Sequence, residues 1–241
     1  RPLLLTIGVP VSNQISTIDR CLSHIKPLLD QLDSELIAID TGSTDGTIEV
    51  CKSYGARVIS HPWCDNMSAV RNEGIYHAKG QWYLSIDDDE WFEDVDDILK
   101  FFKQGIYRKF NMANYIQRNY TNSKGTLFED FHTLRMAEIT PELHFEGRIH
   151  DALVRKGGFK ICMLNSYAHH YGFVADQPKK RKEKFMRNTS ILLYDIYEYP
   201  ENYRYLFQLA NEYSVIGLKK ISVELFAQVI ALARVVGNGR R

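Results

Sequence analysis

Four short apolar runs near the start of the chain, separated by segments with helical periodicity, restrict its fold more than any other feature. Leu3 to Val9 is the first run and stops at Pro10. The next segment places Ile18, Cys21, Leu22, Ile25 and Leu29 on one helical face, with Ser16 or Thr17 at its cap. Leu36-Ile37-Ala38-Ile39 is a second strand ending in Asp40, followed by a short helix carrying Ile48, Cys51 and Tyr54, with Gly55 at its end. Arg57 to Ser60 is a third strand, Ser68 to Ala78 a helix closed by Gly80, and Trp82 to Ile86 a fourth strand. Continuous apolar strands joined by helices predict a parallel α/β sheet covered on both faces. Ligands of such sheets bind beyond the carboxyl ends of the strands, where Asp40 and Asp87 both stand.

Charge adds little, since 30 basic residues balance 30 acidic ones. No overall field draws the chain to nucleic acid or an anionic membrane. Lys179-Lys180-Arg181-Lys182-Glu183-Lys184 is the one notable basic run. It reads as a solvated helix face, because the aromatic interleaving of a nucleic-acid surface is absent. Cys21, Cys51, Cys64 and Cys162 form no C-x-x-C pair and read as small buried hydrophobes in a cytoplasmic protein, with peripheral membrane attachment left open. No apolar run approaches the ~20 residues of a membrane span. The chain starts at Arg1 and stops at Gly239-Arg240-Arg241 directly after a helical pattern, so a fragment of a longer protein is expected.

From Met112 to His170 the pattern shifts to shorter extended pieces: Ala113 to Arg118, Phe131 to Met136, Phe145 to Val154, Lys160 to Met163 and Tyr167 to His170. They predict a mixed or antiparallel extension of the sheet. A long helix is expected over Pro178 to Tyr197. After Pro200, Tyr203, Leu206, Leu209, Ala210 and Tyr213 form one stripe, and Ile221, Leu225, Phe226, Val229 and Ile230 another, with Gly217 between them. The pair resembles one tetratricopeptide unit of ~34 residues. The expected organisation is a catalytic domain over 1–176, a linking helix over 177–199 and a helical region over 200–241, whose helices could support a homodimer.

The strongest chemical signal is Asp87-Asp88-Asp89-Glu90. In an extended segment, Asp87 and Asp89 would project to the same side and could bind Mn²⁺ or Mg²⁺ with positions left for phosphate oxygens. An acidic turn ahead of a helix near Val95, with Glu93 and Asp94 at its N-terminus, is the plain alternative; the place after a buried strand favours the metal. In Asp40-Thr41-Gly42-Ser43-Thr44-Asp45-Gly46-Thr47, a carboxylate at a strand end can accept from a base N–H or ribose hydroxyl. Gly42 permits close approach of a ligand, and Ser43 or Asp45 can cap the next helix. In Asp65 to Asn72, Arg71 could pair with a diphosphate and Asn72 with a hydroxyl or carbonyl.

Together these segments resemble family 2 glycosyltransferases of the GT-A fold, in the bacterial branch whose catalytic domain precedes tetratricopeptide-like helices. That branch reads V-D-T-G-S-T-D-x-T, W-x-D-D-F-S-x-A-R-N and L-D-A-D-E, and the stretches here are Ile39 to Thr47, Trp63 to Asn72 and Ile86 to Glu90. Phe145-Glu146-Gly147-Arg148-Ile149-His150-Asp151 is similar to its F-x-G-x-I-H-E, with Asp for Glu. His169-His170-Tyr171-Gly172-Phe173 is similar to H-x-G-Y, and Arg187-Asn188 to an R-N pair. Peptide S-glycosyltransferases that make glycosylated bacteriocins share the general pattern.

The resemblance implies an inverting, metal-dependent transfer from a nucleotide-diphosphate sugar, a UDP-sugar above all. The acceptor would be a peptide or protein Cys/Ser or a glycan. Pro10, Asn13, Asp40, Gly42, Ser43, Asp45, Arg71, Asn72, Asp87 and Asp88 would hold the donor. Asp87, Asp89 and His170 would hold the metal, with His169 as substitute. Asp151 would be the base, with Glu146 as runner-up. A non-catalytic peptide-binding scaffold is one competing reading. A sugar nucleotidyltransferase is another, disfavoured because Gly8-Val9-Pro10-Val11-Ser12-Asn13 lacks the repeated glycines of a phosphate loop.

Overall fold

The computed structural model describes residues 3–172 and 178–238; Arg1, Phe173, the expected boundary at 176/177 and Gly239-Arg240-Arg241 lie outside them. The chain divides into two compact units, residues 1–147 with 151–174, and 148–150 with 175–241.

In the first unit β1 (Leu5–Val11), α1 (Ile18–Gln31), β2 (Ser34–Asp40), α2 (Thr47–Ser53), β3 (Arg57–Ser60), α3 (Met67–Tyr76) and β4 (Trp82–Ser85) alternate. Then come β5 (Glu90–Phe92), α4 (Asp96–Lys103), β6 (Met112–Tyr120), β7 (Phe128–Glu138), β8 (His144–Glu146), β9 (Ala152–Val154) and β10 (Ile161–His170). One eight-stranded sheet has the order β3-β2-β1-β4-β7-β6-β10-β5, and β8 with β9 makes a separate antiparallel hairpin. β3, β2, β1 and β4 are parallel, and β7 is antiparallel to both β4 and β6.

One apolar face of β1 and apolar residues on both faces of β2 explain the parallel half. Leu5, Ile7, Val9 and Val11 enter the main core with Ile18, Cys21, Leu22 and Ile25 of α1, while Ile37 and Ile39 pack with Val70 of α3. Trp82 anchors α4 through edge contacts with Phe101 and Phe102 at 5.1 and 5.9 Å. On the other face the fully buried Tyr83 ring needs two glycines. A Cβ at Gly8 would lie 1.8 Å from its hydroxyl oxygen, and one at Gly74 2.2 Å.

Several local expectations change. β1 passes through Pro10 to Val11. Gly8 sends its carbonyl to Ile86 N–H on the β4 side, so Pro10 faces that same side, where pairing has ended at Gly8 with Ser85. The missing N–H therefore breaks no ladder. α3 ends at Tyr76, short of Gly80. The piece expected over Phe145 to Val154 is two strands of a hairpin, and β5 was not expected. Three residues directly after an acidic turn carry no periodicity to read. Cys21 and Cys51 are buried as expected, but Cys64 is exposed.

The second unit holds α5 (Pro178–Glu198), α6 (Tyr203–Val215) and α7 (Lys219–Asn238), with Gly217 at φ +86° in the turn. Ile149 packs with Ile191, Leu192 and Leu209. Arg148 pairs with Asp195 and Glu198, each at 2.8 Å, and His150 and Asn188 converge on Glu212, also at 2.8 Å each. The predicted stripes are covered unevenly: Leu209 and Ala210 are buried, whereas Tyr203, Ile221 and Ile230 are exposed. α7 meets α6 through Phe226 against Phe207, with Leu225 half-buried, which rotates Ile221 and Ile230 outward. No described helix is long and apolar enough to cross a membrane.

Candidate functional site

Three segments interlock at the carboxyl ends of β1, β2 and β4. Asp40 folds its own loop: Oδ1 accepts the N–H groups of Gly42 (3.1 Å) and Ser43 (2.8 Å). Asn13, at φ +51°, donates its N–H to Ser43 Oγ at 3.1 Å and accepts from Thr44 N–H at 2.8 Å. Asp45 accepts from Ile15 N–H and Thr47 N–H, each at 3.1 Å, and from the Thr47 hydroxyl, which lowers its pKa. Asp88 accepts Ser12 N–H at 3.1 Å, and its carbonyl accepts the Thr17 hydroxyl at 2.9 Å. Thr17 thus stands at the N-cap position of α1 without capping it through its side chain. Pro10 is buried at the end of β1, directly ahead of this rim.

The acidic segment is a turn rather than an extended strand, closed by Glu90 N–H donating to the Asp87 carbonyl at 3.1 Å. Strand alternation therefore does not govern Asp87 and Asp89, and they face different partners. Asp87 meets Arg71 at 2.5 Å and Arg135 at 3.8 Å. Burial works against its charge, but Arg71 and then Arg135 outweigh it and hold the carboxyl well below the usual range. Asp89 Oδ1 instead lies 3.6 Å from His170 Nε2. His170 Nδ1 is 2.5 Å from Asn119 Oδ1, a partner that accepts, so Nδ1 carries a proton. His169 is on the opposite register, between the Tyr120 hydroxyl and Glu93. Among the described residues no three His, Cys, Asp or Glu side chains are grouped to hold a metal. The expected trio of Asp87, Asp89 and His170 is thus not brought together. Asp89 and His170 do fit a cation that keeps one or two protein ligands and takes phosphate oxygens for the rest.

Arg71 is the hub. Its buried guanidinium donates to Ser85 Oγ at 2.7 Å and to Asp87, and its Nε lies 2.9 Å from Asp151 Oδ2. Arg135 approaches the same Asp151 oxygen at 3.6 Å. Asp151, with 6% of its side chain exposed, thus sits between two guanidinium groups. Glu146 lies elsewhere, exposed on β8 and bonded to His144 at 2.8 Å. Asn72 uses both ends of its amide on the Phe145 backbone, at 2.7 and 3.0 Å, and so pins β8 to α3.

Two participants escaped the sequence reading. Arg135 is one basic residue in a strand with no distinctive neighbours. Glu90 was read as part of the acidic turn, yet it points into the core, where Tyr115 (2.9 Å) and Gln117 donate to it. Burial, followed by the charge of Asp87, pushes its carboxyl up to about 8.

Residues 6–159, more than half of the chain, match the family described as Glycosyl transferase family 2. The chain belongs to this family. The SPbeta prophage-derived glycosyltransferase SunS of Bacillus subtilis is 25% identical over 239 residues, 94% of this chain and 53% of SunS. A TPR repeat-containing protein of Synechococcus elongatus is 41% identical over 80 residues, 33% of this chain and 19% of that protein. The chain spans about half the length, or less, of these relatives. The crystal structure of S. aureus TarS 1-349 superimposes with a TM-score of 0.51 at 13% identity, over 88% of this chain and 72% of that one. That likeness concerns the fold alone. The family 2 domain is a mixed α/β sheet with flanking helices, the GT-A arrangement expected from the motifs.

Proposed function

We propose that this family 2 domain transfers a sugar with inversion from a nucleotide diphosphate, a UDP-sugar above all, to a nucleophile on a peptide, protein or glycan. The observation that carries the reading is the convergence of Arg71, Arg135, Asp87 and Asp151 beside the Asp89–His170 pair, at the strand ends where Asp40 shapes the neighbouring loop.

The Asp40 loop and Asn13 form the rim for base and ribose. Asp89 and His170 would hold Mn²⁺ or Mg²⁺, which when bound neutralises diphosphate charge. Arg71 and Arg135 present fixed positive charge next to Asp87, where a diphosphate would compete for them. The acceptor O–H or S–H attacks the anomeric carbon, the bond to the diphosphate oxygen breaks, and the diphosphate leaves with the electron pair. Asp151 takes the proton once its guanidinium partners turn toward the donor.

A thermal-shift panel of UDP-, GDP-, CDP- and dTDP-sugars, with Mn²⁺ or with chelator, tests this. The expected outcome is a shift confined to one nucleotide class, enlarged by Mn²⁺ and accompanied by slow donor hydrolysis. A scaffold with a degenerate transferase domain would show neither shift nor hydrolysis.

A further inference from the structure

β7 is paired along only part of one edge. β6 covers it from Phe128 to Ala137, whereas β4 pairs with Met136 to Glu138 alone. Thr121 N–H donates to the Leu127 carbonyl at 2.9 Å, closing the hairpin and setting the phase of the ladder. By antiparallel alternation, Phe128, Asp130 and His132 turn their backbone N–H and C=O groups away from β6. No other described strand pairs with that edge. Residues 128–132 are all exposed, with Phe128 at 46% and Phe131 at 52%, beside Leu127 at 61%.

Edges of this kind are ordinarily blunted by Pro, Lys, a bulge or a covering element. The stretch Phe128 to Leu134 contains neither Pro nor Lys, its two acidic residues are Glu129 and Asp130, of which Asp130 is paired with Arg118 of β6 at 2.9 Å, and its one irregularity lies beyond it, opposite Ala113 and Asn114. The same strand leads into the site, because Arg135 lies 3.8 Å from Asp87. From His132 to Arg135 is a rise of about 10 Å at strand spacing. What the edge offers is a row of backbone donors and acceptors at two-residue intervals. That matches another backbone, not the scattered hydroxyls of a glycan.

We propose that the open edge of β7 at Phe128–His132 binds the acceptor as an extended polypeptide strand. The pairing delivers a Ser, Thr or Cys side chain two to four residues further along to the donor site. This rests on the transferase reading above and adds the acceptor class. The nucleophile forms the new bond to the anomeric carbon, its proton passes to Asp151, and the nucleoside diphosphate departs with the electrons of the broken bond.

The test uses an arrayed set of ten-residue peptides with one Ser, Thr or Cys, their N-methylated counterparts, and a set of oligosaccharides, with the donor found in the thermal-shift panel. His132→Pro removes an N–H from the open edge and none from the β6 ladder; His132→Ala keeps that N–H. The expected result is sugar transfer to peptides, reduced at least tenfold in kcat/KM by His132→Pro or by N-methylation of the peptide. His132→Ala should stay within threefold of wild type, and donor hydrolysis should be unchanged in both variants. Transfer to oligosaccharides alone, or peptide transfer indifferent to His132→Pro, would overturn the proposal. So would a dimer in light scattering that dissociates on His132→Pro, since the edge would then belong to a second copy. Absence of donor hydrolysis in the wild type would instead remove the transferase reading beneath it.

Discussion

The Nε of Arg71 lies 2.9 Å from Oδ2 of Asp151, and neither side chain has more than 6% of its surface exposed. With Asp87 held at 2.5 Å by the other arm, one guanidinium links the expected donor side of the site to the expected acceptor side. When the arginine is drawn toward incoming negative charge, the Asp151 carboxylate is left open to the acceptor. Asp151→Asn should lower kcat for transfer by at least 100-fold, equivalent to about 2.7 kcal/mol of barrier. Donor KM should change less than threefold. Steady-state kinetics decide: a rise in KM with kcat preserved would make Asp151 a residue that only positions Arg71.

Glu90 gives the pH dependence. Its carboxyl is raised to about 8 by burial and then by the charge of Asp87, while an unfolded chain ionises it near 4.5. Between those values the folded state holds the proton more firmly, so its contribution to stability falls as pH rises from about 4.5 to about 8 and levels off above that. Glu90→Gln keeps an acceptor for Tyr115 and removes the charge. Its melting temperature should exceed that of wild type at pH 9 and approach it near pH 5, reporting a stability difference on the order of a few kcal/mol at most. Parallel melting curves at the two pH values would show that Glu90 does not titrate in this range.

Packing around Tyr83 sets two ordinary rules against each other. Gly74 lies inside α3, where Ala would normally gain about 1 kcal/mol of helix propensity. A Cβ there would meet the Tyr83 hydroxyl at 2.2 Å, with the flexible end of Ile39 at 3.0 Å and the ring carbon behind the hydroxyl at 3.2 Å. Gly74→Ala should therefore destabilise by about 1–3 kcal/mol in urea titration. Tyr83→Phe removes a buried hydroxyl that has no hydrogen-bond partner among the described residues, so it should restore most of that loss in the double variant. If the two changes simply add, the hydroxyl is not the obstacle.

The sequence shows the parallel half of the fold clearly because β1 and β4 bury every residue and β2 buries the run Leu36 to Ile39, a pattern that few other arrangements produce. β5 was hidden because three residues after a turn carry no period, and the β8–β9 hairpin because its turn looks like part of one extended piece. In the site, Asp40, Arg71, Asp87 and Asp151 could be named from spacing and resemblance. Arg135 could not, since its place beside Asp87 depends on β7 running antiparallel next to β4. The inward turn of Glu90 was equally invisible, because an acidic residue beside three aspartates reads as surface until a buried tyrosine is found facing it.

Asp88 and Asp89 are neighbours in one turn with separate tasks, and substitution can tell them apart. Asp88 uses Oδ2 to hold Ser12 N–H at 3.1 Å, which ties the loop after β1 to the acidic turn. Its carboxyl is pushed well above the usual range by burial and by the charges of Asp89 and Asp87, so removing its charge relieves repulsion. Asp88→Asn keeps the acceptor and should leave turnover within a few-fold. Asp88→Ala releases the loop and should raise donor KM more than it lowers kcat. Asp89 faces His170 Nε2 at 3.6 Å, so Asp89→Ala takes one of two expected cation donors. It should abolish the Mn²⁺-dependent part of the thermal shift and reduce kcat at least 100-fold, leaving the metal-free shift by the nucleotide sugar in place. Equal damage from Asp88→Ala and Asp89→Ala, with the Mn²⁺ response kept in both, would mean that the turn serves the loop and not a metal.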